Sequence, residues 1–204
     1  RGFPIAAVPG DTPQAPLGPF VTPGTYQVRL LVGAQQWEQA LEVRADPRLP
    51  VSATALAAQL KLARQLADAL DGSTSALFEA RSLRAQSQQR AAHADAQLAR
   101  PLRTFDGELA AVLNPADEHS QTPPRRGLEA LNRDLATLYE QVNRTDAAPT
   151  EAQTAVTAQT VADWQALVAT WQSLRGARTE ALNGRLGRAQ LAPLRPQLAP
   201  PNEL

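Results

Sequence analysis

The chain has 204 residues, with 20 basic and 20 acidic side chains, 17 prolines, no cysteine, no methionine and 4% aromatic residues. That length suits one or two domains with a true hydrophobic core, and the missing cysteines exclude disulfides and thiolate metal sites. Zero net charge and the lack of any run near the roughly 18 apolar residues of a membrane span point away from nucleic acid and from membrane insertion.

Arg1-Gly2-Phe3-Pro4 lacks the apolar h-region of a signal peptide, so the composition predicts a soluble chain. With no methionine anywhere, it reads as a processed or deliberately cut piece of something longer. Composition changes near Pro50, which sets three parts: a partial β module over residues 1–50, a helical bundle over 51–190 and a proline-rich tail over 191–204. In the first part, Pro23-Gly24 signals a turn, and Tyr26, Val28, Leu30 and Val32 alternate on one face while Thr25, Gln27 and Arg29 take the other. Gly33-Ala34-Gln35 turns the chain, and Trp37, Leu41 and Val43 then share a face opposite Glu38, Glu42 and Arg44. The two runs predict a β-hairpin. A lone hairpin is marginal in water, so a third strand at Pro4 to Val8, a helix or a partner is expected to cover its apolar face. Pro47 and Pro50 end the second strand.

From Ser52 the apolar period becomes helical. Leu56, Leu60, Ala63, Ala67, Leu70 and Leu77 form one stripe, and Leu62, Leu66, Ala69, Ala76, Ala80 and Leu83 a second, which predicts one helix over 52–92 with two neighbours. The break at Asp71-Gly72-Ser73 is tolerable, since one glycine costs about 1 kcal/mol relative to alanine. Leu98, Leu102, Phe105, Leu109 and Val112 predict a second helix, which Pro101 should kink or start. Thr122-Pro123 offers an N-cap and first helical position for a third, with Leu128, Leu131, Leu135, Leu138 and Val142 at heptad spacing. Thr150 and Gln153 form a capping box that opens a fourth helix running to about Gly184, with Trp164, Leu167, Trp171, Leu174 and Ala181 inward. These helices predict an antiparallel bundle. The first would be about 60 Å long and the second and third about 30 Å each, so three legs with the short helices stacked end to end also fit, but short connections favour four legs. Prolines 193, 196, 200 and 201 keep the tail extended.

Chemistry-bearing patterns are sparse. His93 and His119 are distant, and only His119 has acidic neighbours, Asp117-Glu118, so no metal site is assigned. Neither a serine nucleophile motif nor a phosphate-cradling glycine loop occurs. The acidic residues Glu129, Asp134 and Glu140 flank the third helix's leucine stripe and are read as solvated, and Trp164, Trp171 and Trp37 are read as core. Arg125-Arg126 should be exposed or paired, and Asn143-Arg144-Thr145 is a short glycosylation match of the kind that arises by chance. No catalytic, cofactor-binding or metal residue is assigned, and no cofactor.

The stretch Gly18-Pro19-Phe20-Val21-Thr22-Pro23-Gly24-Thr25-Tyr26-Gln27-Val28-Arg29-Leu30, continuing through Leu41-Glu42-Val43-Arg44-Ala45-Asp46-Pro47-Arg48, resembles the C-terminal region of large bacterial exported β-propeller proteins of the BNR-repeat, sortilin-like class, often labelled glycosyl hydrolases. Phe78 to Gln86 and Ala181-Leu182-Asn183 also look like that region's helical tail. The resemblance implies the end of an immunoglobulin-like sandwich followed by a coiled helical bundle, in an exported protein whose active site, if any, lies on the propeller. The expected function is therefore a non-catalytic C-terminal module that scaffolds, oligomerises or docks a partner, the partner being the propeller domain or a second copy. A carbohydrate-active or carbohydrate-binding domain is the alternative, and it requires paired carboxylates or Trp37 exposed beside polar groups.

Overall fold

The structure is a computed structural model that describes residues 18–115 and 126–198. Strands β1 (Gly24–Val32) and β2 (Gln35–Val43) pair antiparallel, with Tyr26 opposite Leu41 and Leu30 opposite Trp37. Gly33 at the first turn position has φ +59°, as a type II′ hairpin turn demands, and glycine meets that demand without a Cβ clash. The register places Tyr26, Val28, Leu30 and Val32 on one face with Trp37, Leu41 and Val43, as the alternation predicts. Among the described residues the sheet has two strands, and Pro4 to Val8 lie outside them.

Helix α1 (Ala53–His93) runs unbroken for 41 residues, its first turn capped by the Ser52 hydroxyl on the Ala55 amide. At the apparent interruption Asp71 stays exposed, while Ser73 begins a polar layer inside the bundle with Thr74 and Asn132. A Cβ on Gly72 would stand 3.2 Å from the Trp164 ring, so glycine lets that indole approach the helix. Ser73 and Thr74 donate their hydroxyls to the Leu70 carbonyl, and Asn132 Nδ2 donates to both oxygens at 3.0 and 2.7 Å. Apolar clusters lie on either side of this layer. One gathers Leu62, Leu66 and Ala69 with Leu135, Leu138 and Val142; the other gathers Ala80 and Leu83 with Leu102, Phe105, Leu109 and Leu186. Trp164 packs against both.

Helix α2 (Ala96–Leu113) starts ahead of Pro101 because the Asp95 carboxylate caps the Leu98 amide at 2.9 Å. Pro101 therefore sits inside the helix, and the carbonyl deprived of its donor belongs to exposed Gln97, where water can serve it. Helix α3 (Leu128–Asn143) is described from Leu128, with Gly127 as its cap; Thr122-Pro123 lie outside the described residues. Its five predicted stripe residues are all buried.

These two short helices correct the expectation of four legs. Helix α2 packs on the C-terminal half of α1 and α3 on the N-terminal half, and they meet end to end, making three legs. Length is the reason: α1 spans about 60 Å, and neither α2 nor α3, about 27 and 24 Å, covers that length alone, whereas the two in series nearly do. The joint is tight. A Cβ on Gly127 would lie 2.5 Å from both the Leu113 carbonyl oxygen and the Pro115 ring.

The third leg is continuous through α4 (Glu151–Ser173), a π-helical turn (Leu174–Arg178) and α5 (Thr179–Arg188). Its start is the predicted capping box between Thr150 and Gln153. The π turn holds one extra residue, and the Thr179 hydroxyl bonds the Leu174 carbonyl five residues back at 2.8 Å. That extra residue moves the buried stripe on by one position, so Leu182 is inward at 2% exposure while Ala181, expected there, is exposed. The helix also extends past Gly184 to Arg188. Residues 191–198 are non-helical, as the prolines predict, and they lie against α1 and α5 with Leu194 buried.

The joint generates a stability prediction. Gly127→Ala should lower the unfolding free energy by about 1–3 kcal/mol through overpacking, whereas Gly184→Ala, exposed with open space around it, should raise it by about 0.5–1 kcal/mol through helix propensity. Urea unfolding followed by circular dichroism measures both.

Candidate functional site

The hairpin is where apolar sequence and burial part company. Val28, Leu30, Val32, Trp37 and Leu41 form one face, yet each is between 49% and 59% exposed. Trp37, expected to be core, is thus half exposed, with Gln35 and Gln39 beside it on the same face. The opposite face carries Thr25, Gln27, Gln36 and Glu42, and an Arg29 to Glu38 pair joins the strands at 2.7 Å. The face is as amphipathic as a sheet meant to pack on something, and among the described residues nothing packs on it. Both strands are also edges among the described residues, so each offers unpaired backbone groups.

Among the described residues the hairpin is tied down at its base. Tyr26 donates its hydroxyl to the Thr22 carbonyl at 2.6 Å, which ties the entering chain to the first strand. Below, a cleft of about 610 Å³ separates the hairpin base from the tips of α1 and α3, lined by Phe20, Val21, Leu49, Leu56 and Leu60 among others. At its floor the buried Gln59 amide donates to the Val142 and Thr145 carbonyls and so caps the end of α3. Arg48 folds back on Asp46 and holds that half-buried carboxyl below its usual range.

Several of the bundle's carboxylates are engaged by arginine, whereas Asp68, Asp71 and Glu180 have no ion pair among the described residues. Glu79, 9% exposed, takes the Arg175 guanidinium through two hydrogen bonds, and Glu108 takes Arg178 likewise. Those hydrogen bonds raise the arginine pKa values above their ordinary value. Glu129, expected to be solvated, pairs with Arg81, and Asp106 pairs with Arg84. Asp134 and Asp163 converge, but on Arg126, which is paired as one of the two expected alternatives. Burial pushes the Tyr139 phenol up, against a lowering hydrogen bond from Asn143, the residue of the glycosylation match.

Trp171 is buried and Trp164 half-buried in the bundle, as expected. His93 is exposed near the end of α1, its Nδ1 2.9 Å from the Gln89 carbonyl, and His119 lies outside the described residues. Among the described residues no group of three or more His, Asp or Glu side chains is placed to hold a metal, and no helix is long and apolar enough to cross a membrane. Gln86, Arg90 and Asn183, which hold the tail, were not singled out by sequence reasoning; as isolated polar residues on helices they give no signal without their partner segment. No family model, no curated protein and no solved structure matches the chain.

Because the apolar face makes no part of the bundle core, charging it should leave the helices intact. The double variant Val28→Lys, Leu30→Lys should change the unfolding free energy of the helical signal by no more than about 0.5 kcal/mol, as surface substitutions do. Thermal and urea unfolding at 222 nm provide the check.

Proposed function

We propose that the chain is a non-catalytic structural and interaction module, the C-terminal part of an exported β-propeller protein. In this reading the hairpin belongs to an immunoglobulin-like sheet, and the helical bundle is the scaffold that carries it. The observation that supports it most is the uncovered apolar face of a hairpin anchored by Tyr26. A tyrosine at the start of a strand whose hydroxyl bonds the backbone a few residues upstream is a hallmark of immunoglobulin-like sandwiches, and the Tyr26 to Thr22 bond has that form. The exported compartment and the propeller rest on the resemblance of residues 18 to 48. The pairing of Glu79 with Arg175 and of Glu108 with Arg178 supports a structural role for those carboxylates, since a glycosidase needs two carboxyl groups free to face a sugar.

One observation favours the second reading, carbohydrate binding: Trp37 is half exposed between Gln35 and Gln39 on its face. Stacking of a sugar ring there would shift tryptophan emission on titration with oligosaccharides, and Trp37→Ala would abolish the shift.

An open sheet face should bind a hydrophobic dye or a second copy of the chain. Light-scattering mass across a concentration series, with dye fluorescence on the same samples, is expected to show dye-binding monomer or dimer. Val28→Lys, Leu30→Lys should remove either signal. A wild-type monomer that binds no dye at any concentration would contradict the module reading, because its face would be covered within the chain.

A further inference from the structure

The segment after α5 is held in a way that differs from ordinary tail packing. Asn183 on α5 gives both ends of its amide to one residue: Leu194 N–H donates to Oδ1 at 2.6 Å, and Nδ2 donates to the Leu194 carbonyl at 2.9 Å. Gln86 on α1 does the same for the next residue, accepting from Arg195 N–H at 3.0 Å and donating to the Arg195 carbonyl at 2.7 Å. Arg90, one turn further on, donates Nε to the Ala192 carbonyl at 2.6 Å and Nη2 to the Pro193 carbonyl at 3.1 Å. Three side chains thereby satisfy six backbone groups, as a neighbouring strand would. Pro193 and Pro196 have no N–H to satisfy, and they favour the extended form before docking.

The clamp is braced from α1. Gln86 Nε2 also donates to the Ser82 hydroxyl at 2.9 Å, and Arg90 Nη1 donates to the Gln86 carbonyl at 3.1 Å. Between the two amides, the Leu194 side chain enters the apolar cluster and is 1% exposed, while Arg195 is exposed. Backbone groups are thus read without regard to sequence, Leu194 is read by a pocket with Leu191 packed partly against the same cluster, and the residue after Leu194 is exposed and free to vary. The tether to α5 is a single reversal at Gln190, whose φ of +57° is unfavourable for a residue with a Cβ. The contacts of residues 192–195 come from side chains of α1 and α5 and do not require the tether, whose own hydrogen bonds are the helix-end bonds of Gln190 and Leu191 to the Gly187 and Leu186 carbonyls.

From this we infer that the groove between the C-terminal part of α1 and α5 is a peptide-recognition site for an extended, proline-flanked segment that buries a leucine at the Leu194 position, occupied in cis by residues 191–198. The same segment supplied in trans, as a free peptide or as the tail of a second copy, fits the groove when the cis tail is out. The site is separate from the hairpin face and does not depend on the function proposed above.

The test uses the full chain with Leu194→Asp, which expels its own tail, and a fluorescein-labelled peptide with the sequence of residues 189–198. Fluorescence anisotropy is expected to show saturable binding. Binding to the wild-type chain, whose groove is filled, should be weaker by about tenfold or more, and so should binding to a chain that also carries Gln86→Ala and Asn183→Ala. If Leu194→Asp loses its helical circular dichroism, Leu194→Ala takes its place with the same expected pattern. A folded, tail-expelled chain that fails to bind the peptide would overturn the inference. So would equal binding to all three chains, which places the peptide elsewhere.

Discussion

A helix about 60 Å long has to be covered along its whole length, and the chain's next two helices are each less than half as long. Much of the bundle follows from meeting that constraint. Helices α2 and α3 share one leg end to end, which requires a residue without a Cβ at the joint, and Gly127 is that residue. Because the two short helices each cover half of α1, the interior divides into two apolar clusters. The seam between them holds the Ser73, Thr74 and Asn132 hydrogen bonds, and Trp164 spans it over Gly72. A polar layer whose members bond one another fixes the register of the legs, where an all-leucine seam would slide at little cost.

The third leg runs past both clusters, so its apolar stripe must stay in phase for 38 residues, and a straight α-helix drifts relative to a seven-residue repeat. The π turn at Leu174–Arg178 resets that phase by one residue. It also sets Arg175 and Arg178 on the outer side, where they reach Glu79 and Glu108. Such partly exposed pairs contribute little stability individually, on the order of 0–1 kcal/mol, and their greater effect is to hold carboxylates in place. The bundle thus closes on itself, down to the tail that fills its last groove. The hairpin does not, and that contrast separates the scaffold from the surface it presents.

Features governed by local rules were legible in the sequence. The Thr150 and Gln153 box, the phase of Tyr26, Val28 and Leu30 against Trp37 and Leu41, and the leucine stripe of α3 depend on neighbours a few residues away, and all appear where the spacing puts them. Features governed by distant partners were not. Ala181 was expected inward because heptad counting assumes an unbroken α-helix, and a π turn leaves no mark that counting detects. Four legs were preferred because short connections usually join side-by-side neighbours, and the length argument for stacking α2 on α3 was outweighed. The candidate surface was half legible: alternation identified its apolar face, but whether Trp37 is core depends on what lies across from it. The tail clamp was illegible because Gln86 and Asn183, 97 positions apart in the numbering, acquire meaning only once folding brings α1 beside α5.

Among its described residues the chain combines a closed bundle with an open sheet face. Amide hydrogen exchange on the wild-type chain, at a concentration where it is monomeric, tests this most directly, because protection reports local opening residue by residue. The account predicts slow, near-global protection at Leu66, Leu102 and Leu135, with exchange in β1 and β2 faster by orders of magnitude, since nothing among the described residues covers the hairpin face. Hairpin amides as protected as those of the bundle in the monomer would contradict it, and would mean that the chain supplies its own cover for that face.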